Sequence, residues 1–526
     1  MTDLFLSSFE TGGADQFQRV RSLRFSDASS ALKECERSES ELVLLSSQEM
    51  DFPTEPKLPG DLENCDLLHC GLKLGAYGFV QLPLYGCLSW HFLDPDISRA
   101  SCSWKATPSF CWLRPATLRA LGGFDRIYSS PEMQLMDFGF RLMLAGGRTR
   151  YDPSLVPGRI ANTPVVSLPL VDEFAFMLRH CGTRVAAYAA LSHGIVNRCP
   201  IQAWRAFKTA CVLVREHPAP RSDGTIADKL RLRRPHTKPN VSGYSAIIPT
   251  LDRYDYLPKA IDSLFRQEPS PAEIIVVDQT PVQRRKPELY ASYGRSNLRV
   301  IYLDKPGQAA ARNAGICAVK SQWCLLFDDD SEAWPDMVAE HIRLVAETGA
   351  SVSTGASLAP TKTRENIPIM YRNPFISDVL DTGNCFVKRD VLLAVGGLDG
   401  AFDHGPGVDN DLGTRLWRKG YEILFNPLAI RTHYKAPKGG LRSHGNWWCD
   451  RSGTWAPFPP PTTIYTIRRH LPLHFHKPQY VLRFLRAKAR YKAGGLAWLW
   501  VNASWKFALA LHKSKCLKPA VNLLGD

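Results

Sequence analysis

Three apolar runs in the second half of this chain each end on a polar group. Ala246-Ile247-Ile248 runs into Pro249-Thr250, with Asp252 and Arg253 just beyond, and Glu273-Ile274-Ile275-Val276-Val277 ends on Asp278. The third, Leu325-Leu326-Phe327, stops at Asp328-Asp329-Asp330. Between them lie a helical pattern through Leu257, Ile261 and Leu264, a strand-like Leu298–Leu303, a turn at Pro306-Gly307 and a helix start around Arg312-Asn313-Ala314-Gly315. Strands alternating with helices predict an α/β fold on a mostly parallel sheet. Ligands of such sheets bind beyond the carboxyl ends of the strands, so Thr250, Asp278 and Asp328 are expected to share one crevice.

Three adjacent carboxylates repel one another. A divalent cation with oxygen ligands, Mg²⁺ or Mn²⁺, relieves that repulsion; a solvated acidic turn is the plainer alternative. A nicotinamide-binding site is excluded at Val276-Val277-Asp278, because no Gly-x-Gly-x-x-Gly turn follows to admit a pyrophosphate.

The ordered set Pro249-Thr250, Asp278, Ala311-Arg312-Asn313-Ala314-Gly315, Asp328 to Asp330, Asp409-Asn410-Asp411 and His433 resembles the family 2 nucleotide-sugar glycosyltransferases of GT-A fold. The resemblance runs from about Tyr244 to Tyr434 and implies an inverting, metal-dependent enzyme. By resemblance, Asp330 with His433 holds Mn²⁺ or Mg²⁺, which stabilises the leaving diphosphate as a Lewis acid. Asp328 accepts from the ribose, Asp278 from the base, and Asp409 is the general base for the acceptor hydroxyl. Pro249, Thr250, Asp252, Arg253 and Asp329 complete the implied donor site. Arg312 suits either a phosphate or a carboxylate partner. Val408 stands where the family usually has Glu, and Asp252 where Asn is usual. Asp411 is expected to favour the start of the helix that carries Leu412 and Leu416; contact with the acceptor is its other reading.

The first half of the chain echoes the second. Phe110-Cys111-Trp112-Leu113-Arg114 through Gly122-Gly123-Phe124-Asp125 matches Asn384-Cys385-Phe386-Val387-Lys388 through Gly396-Gly397-Leu398-Asp399. Without a gap, Asp137 and Arg141 then fall on Asp411 and Arg415. Upstream, Glu41 to Glu49 is the counterpart of Trp323 to Asp330, so Ser47-Gln48-Glu49 replaces the Asp triplet and Leu135 replaces Asp409. Residues 1–214 therefore read as a truncated, inactive GT-A-like domain, 215–240 as a Pro- and charge-rich linker, and 241–435 as the catalytic domain.

Residues 436–526 form a basic, mainly helical region. From Tyr434 onward sixteen Lys or Arg face only Asp450 and Asp526, a balance of 16 − 2 = +14 that equals the formal charge of the whole chain. Six of the thirteen Trp residues lie there too. Such a segment suits an anionic membrane surface, or else a helical layer packed on the catalytic domain. Trp447 and Trp448 either stack on acceptor sugars or pack in a core. Asn502, Ser504 and Lys506 argue against a membrane span in the last apolar stretch. The start has no basic leader, and the fourteen cysteines include no C-x-x-C pair, so buried thiols in a reducing cytosol are expected.

Together these readings predict sugar transfer from a nucleoside-diphosphate donor to a glycan or lipid-linked acceptor. The setting is surface (cell-envelope) polysaccharide synthesis at the cytoplasmic face of the membrane, with no nucleic-acid partner. A catalytically silent sugar-nucleotide-binding or scaffold protein is the alternative.

Overall fold

The computed structural model describes residues 4–11, 17–46, 65–70, 90–93, 99–155, 168–222, 241, 243–294, 296–368, 371–403, 405–441, 459–471, 476, 480 and 496–517. The chain divides into two compact units, one almost entirely before and one almost entirely after Pro235.

The first unit holds a seven-stranded sheet of β1 (Leu4–Thr11), β2 (Phe17–Phe25), β3 (Leu42–Ser46), β4 (Leu67–His69), β5 (Ser101–Cys102), β6 (Phe110–Leu113) and β7 (Thr149–Tyr151). Their spatial order is β2-β1-β3-β6-β4-β7-β5. Three helices follow, Leu170–His180, Thr183–Val196 and Pro200–Glu216.

The second unit is built on β8 (Tyr244–Thr250), β9 (Glu273–Asp278), β10 (Leu298–Tyr302), β11 (Trp323–Phe327), β12 (Ser331–Ala333), β13 (Val352–Leu358), β14 (Phe375–Ile376), β15 (Asn384–Lys388) and β16 (Ile423–His433). The order is β10-β9-β8-β11-β15-β13-β16-β12, with β14 also on β16. Every residue of β8, β9 and β11 is buried, which explains why these strands read as unbroken apolar runs. The first four strands are parallel, as expected. The rest of the sheet is mixed, because β15 runs antiparallel to both β11 and β13. A strand returning between two parallel neighbours needs a loop, not a crossover helix, so the helix–strand alternation that signals a parallel sheet fades there. The outcome is still the α/β architecture that the GT-A resemblance implies.

Local chemistry sets the two helices nearest the site. Leu257–Phe265 has Pro258 in its first turn and buries Leu257, Ala260, Ile261 and Leu264, one face at helical spacing. Gln308–Ala318 lies close against β8: a Cβ on Gly315 would sit 2.4 Å from Ile247 Cγ2. That contact is why the helix ends its Ala-Arg-Asn-Ala run on glycine.

The echo in sequence has a counterpart in hydrogen bonding. β5 pairs β7 as Ser101↔Tyr151 and Cys102↔Arg150, and β14 pairs β16 as Phe375↔Phe425 and Ile376↔Leu424, the same register 375 − 101 = 274 residues on. The order and directions of β3-β6-β4-β7 repeat those of β11-β15-β13-β16. Within each unit one arginine forms a clasp. Arg141 donates from Nε to Asp137 Oδ2 (2.7 Å) and from Nη1 and Nη2 to the carbonyls of Leu121 and Gly123, while His180 Nε2 lies 2.7 Å from Asp137 Oδ1. Arg415 likewise donates from Nε to Asp411 Oδ2 and from Nη1 to the carbonyls of both Val395 and Gly397, and His470 Nε2 lies 2.7 Å from Asp411 Oδ1. Ser46 pairs with Phe110 as Phe327 pairs with Asn384, which sets β3 in the register the sequence comparison anticipates. Ser47, Gln48 and Glu49 lie outside the described residues.

The units differ on the other flank. β8 is parallel to β11, whereas β1 is antiparallel to β3 and forms a hairpin with β2.

In the tail, the helix Leu496–Cys516 packs on Pro461–His470, turning Lys506, Ala510 and Ser514 inward, and Arg468 donates to the Ser514 carbonyl. The tail's Trp447, Trp448 and Trp455 and its cluster from Arg483 to Lys492 lie outside the described residues, as does most of the 215–240 linker. Among the described residues no helix is long and apolar enough to cross a membrane, and the cysteines are free thiols, seven of them buried.

Candidate active site

Register brings the strand ends level: Thr250 pairs with Asp278 across β8 and β9, and Leu326 with Ile247 across β11 and β8. Above these ends opens a cavity of about 300 Å³ with Pro249, Thr250 and Arg253 on its wall, beside Arg312, the three aspartates, Asp409 and His433.

The aspartates have separate partners, as three adjacent carboxylates must. Asp328 sits between two guanidinium groups, accepting from Arg312 Nη2 and Arg431 Nη1, each at 2.8 Å. Burial alone would raise its pKa, but Arg431 and Arg312 outweigh it and hold the carboxyl well below the usual range. Asp329 is buried deeper and accepts from Thr250 Oγ1 and Arg253 Nη1, each at 2.8 Å. Its burial outweighs Arg253 and pushes the pKa up to about 6. Asp330 accepts from the Ala436 amide at 2.9 Å, and its Oδ1 lies 3.3 Å from His433 Nε2. Burial opposes ionisation there, yet the His433 hydrogen bond and Arg253 keep its pKa low.

Asp328, Asp330 and His433 each offer a ligand atom within 4.8 Å of the others. Two carboxylate oxygens and one imidazole nitrogen suit Mn²⁺ or Mg²⁺ with further ligands supplied by a diphosphate, so the residues present fit the expected metal. The sequence assigned Asp330 and His433 to the metal; the geometry adds Asp328.

Asp409 lies in the first turn of the helix Val408–Arg418 and accepts from the Thr382 hydroxyl at 2.6 Å. Burial raises its pKa; the Thr382 bond opposes this and the charge of Asp381 adds to it. A carboxylate poised upward in this way is a better proton acceptor at neutral pH than an ordinary aspartate. Asp381 in turn forms a two-pronged pair with Arg431 Nη2, at 3.0 and 2.9 Å.

Three of the sequence candidates stand away from the cavity wall. Asp278 is fully buried, accepting from Tyr254 (2.7 Å), Tyr290 (2.8 Å) and the Thr280 amide (2.9 Å). Asp252, at φ 55°, is held in a fork by Arg284. Asp411 makes no side-chain cap to its helix, whose N-cap is Gly407; its carboxylate is taken up by the clasp with Arg415 and His470.

Arg431, Asp381 and Thr382 were not among the sequence candidates. Arg431 left a trace: two residues before His433 on one strand, it must point to the same face. Gly383 is needed beside them, since a Cβ there would lie 2.1 Å from Asp328 Oδ2 and 2.3 Å from Arg431 Nη1.

The sequence and the fold are each similar to known proteins. Residues 245–392 match the family described as Glycosyl transferase family 2. The succinoglycan biosynthesis protein ExoO of Rhizobium meliloti (strain 1021) is 31% identical over 108 residues, 20% of this chain and 31% of that protein, so the match spans about a third of the relative's length. Among solved structures, GalNAc-T7 with UDP, GalNAc and Mn²⁺ is similar at a TM-score of 0.37 and 13% identity, covering 53% of this chain and 57% of the other. S. aureus TarS 1-349 follows at 0.36 and 14%, covering 52% and 83%. The mannosyltransferase PcManGT from Pyrobaculum calidifontis, in complex with GDP-Man and Mn²⁺, gives 0.32 and 16%, covering 63% and 87%. Residues 245–392 are thus a glycosyl transferase family 2 domain.

Proposed function

We propose that this chain is an inverting, divalent-metal-dependent glycosyltransferase that moves a sugar from a nucleoside-diphosphate donor to a hydroxyl of a glycan or lipid-linked acceptor. The observation that carries the reading is one cavity lined both by the Asp328–Asp330–His433 ligand set and by Asp409. A bound Mn²⁺ or Mg²⁺ would neutralise charge that builds on the departing diphosphate. Arg312 and Arg431, already at Asp328, add fixed positive charge on that side. Asp409 takes the acceptor hydroxyl proton as the new C–O bond forms and the bond to the diphosphate breaks on the opposite face of the sugar, which inverts the anomeric centre. The similarity to ExoO, a succinoglycan biosynthesis protein, supports surface polysaccharide as the product class.

In the same reading the N-terminal unit is a degenerate copy of the acceptor half of this domain. Shared registers and the shared clasp support it, as does the loss of the chemistry alone: Leu135 occupies the position of Asp409 and Thr107 that of Asp381, at the offset of 274. The surplus of positive charge after Tyr434 supports work at the cytoplasmic membrane face.

The test is hydrolysis and binding across UDP-, dTDP- and GDP-sugars with Mn²⁺ and with chelator. Turnover of one donor that chelator and Asp330→Ala both abolish is the expected result. A folded sample that binds none of them leaves a silent scaffold as the better reading.

A further inference from the structure

The helical hairpin Thr183–Glu216 of the N-terminal unit spends its buried face conventionally and its exposed face unusually. Ala203, Ala206, Phe207 and Ala210 turn inward, and the hairpin packs on Leu170–His180 through them and their neighbours. On the outer side of the same helix Ile201 is 69% and Trp204 51% exposed; on the preceding helix Leu191 is 56% and Ile195 57% exposed. Residues 191 and 195, and 201, 204, 208 and 212, recur at helical spacing, so each set forms a stripe. Large apolar side chains gathered on one hairpin mark a surface that meets something other than water.

Charge says what that is. Residues 183–216 carry Arg184, Arg198, Arg205, Lys208 and Arg215 against Glu216 alone, 5 − 1 = +4. Among the described residues none of these five cations is in an ion pair. Lys208 lies over the Trp204 ring at 5.7 Å, so a cation and an amphipathic ring are presented together at the centre of the stripe. Aliphatic side chains, an exposed Trp and unpaired basic groups on one hairpin are the chemistry of helices lying in an anionic lipid headgroup layer.

We propose that this hairpin seats the protein on an anionic phospholipid surface. The indole of Trp204 and the side chains of Ile201, Leu191 and Ile195 enter the headgroup boundary, while Arg205 and Lys208 meet lipid phosphates. The surface belongs to the N-terminal unit and stands independently of the transferase reading.

The experiment is sedimentation of the full chain with phosphatidylcholine vesicles, with and without about a third phosphatidylglycerol. The expected result is binding only to the anionic vesicles, weakened by salt. Arg205→Gln with Lys208→Gln, and separately Ile201→Ser with Trp204→Ser, should each lower the partition coefficient roughly tenfold or more. All four positions are exposed, so circular dichroism and solution donor hydrolysis should match the parent chain. A failure of the transferase reading would appear as absent donor turnover in every chain and would leave the vesicle result standing. Parent-like binding by both double variants overturns the proposal in favour of the C-terminal tail. Absence of binding by the parent chain also overturns it. So does unchanged vesicle binding together with loss of a dimer in analytical ultracentrifugation, which would make the stripe a contact between two copies of the chain.

Discussion

His341 should give the C-terminal unit a specific acid sensitivity. It is wholly buried on the helix Met337–Thr348, between Ser353 Oγ (2.8 Å from Nδ1) and Asn384 Oδ1 (3.0 Å from Nε2). Asn384 spends its amide hydrogens on the carbonyls of Ala356 and Ala429, so its oxygen must accept. The imidazole is therefore neutral with its proton on Nε2, and Nδ1 accepts from Ser353. Burial lowers its pKa from 6.5 to about 4, against the small opposing effect of Asn384. Because the folded value lies below the unfolded one, the unfolded chain binds more protons between those two values. Stability is thus retained above about pH 6.5 and falls as the pH drops toward 4. At about pH 4.5 the loss amounts to roughly 2.5 kcal/mol. His341→Gln keeps a donor for Asn384 and an acceptor for Ser353 but cannot titrate. Urea unfolding at about pH 7.5 and 4.5 should show the parent chain losing about 2.5 kcal/mol more than the variant. Comparing the two changes cancels any fixed cost of the substitution and every other titrating group. Equal losses in the two chains would refute the reasoning.

Further tests address the site and the clasp. Asp409→Asn should leave Mn²⁺-dependent donor binding intact while transfer falls by about 10² to 10⁴, and near-normal turnover would remove Asp409 from the base role. Gly383→Ala should weaken donor affinity about tenfold, because the new methyl must displace Asp328 or the buried Arg431; unchanged affinity in calorimetry would contradict this. Arg415→Met takes from the buried Asp411 its closest cation, leaving the more distant Arg469, and should destabilise the C-terminal unit by about 3 kcal/mol, with Arg141→Met doing the same to the N-terminal unit. Adding Asp411→Leu to the first should recover most of the loss in urea unfolding, and no recovery would mean the ion pair is not the cause.

The nucleotide-side strands and the Asp triplet were legible because a strand buried on both faces is a local pattern, and a carboxylate at its end breaks that pattern visibly. The sequence echo between the halves was legible because its glycines, Gly122-Gly123 and Gly396-Gly397, hold matching positive φ values and so resist replacement. Arg431 was not legible. Whether an arginine on an apolar strand is buried depends on carboxylates that meet it in space, and Asp328 and Asp381 lie 103 and 50 residues away. The partners of Asp278 were not legible for the complementary reason: Tyr254 and Tyr290, which close over it, sit on segments with no sequence link to its strand. His341 left no sequence signal, since a lone histidine on an apolar helix face looks the same paired or unpaired.

The flank of β3 that pairs with β1 carries a lesson in construction. An unpaired strand edge must be covered, yet the backbone groups that cover it are indifferent to the direction of the partner. In one unit that edge receives a parallel strand with two further parallel strands behind it; in the other it receives a hairpin of about twenty residues. The clasped half behaves as a chassis with a standard coupling, to which either a parallel strand or an antiparallel hairpin is joined.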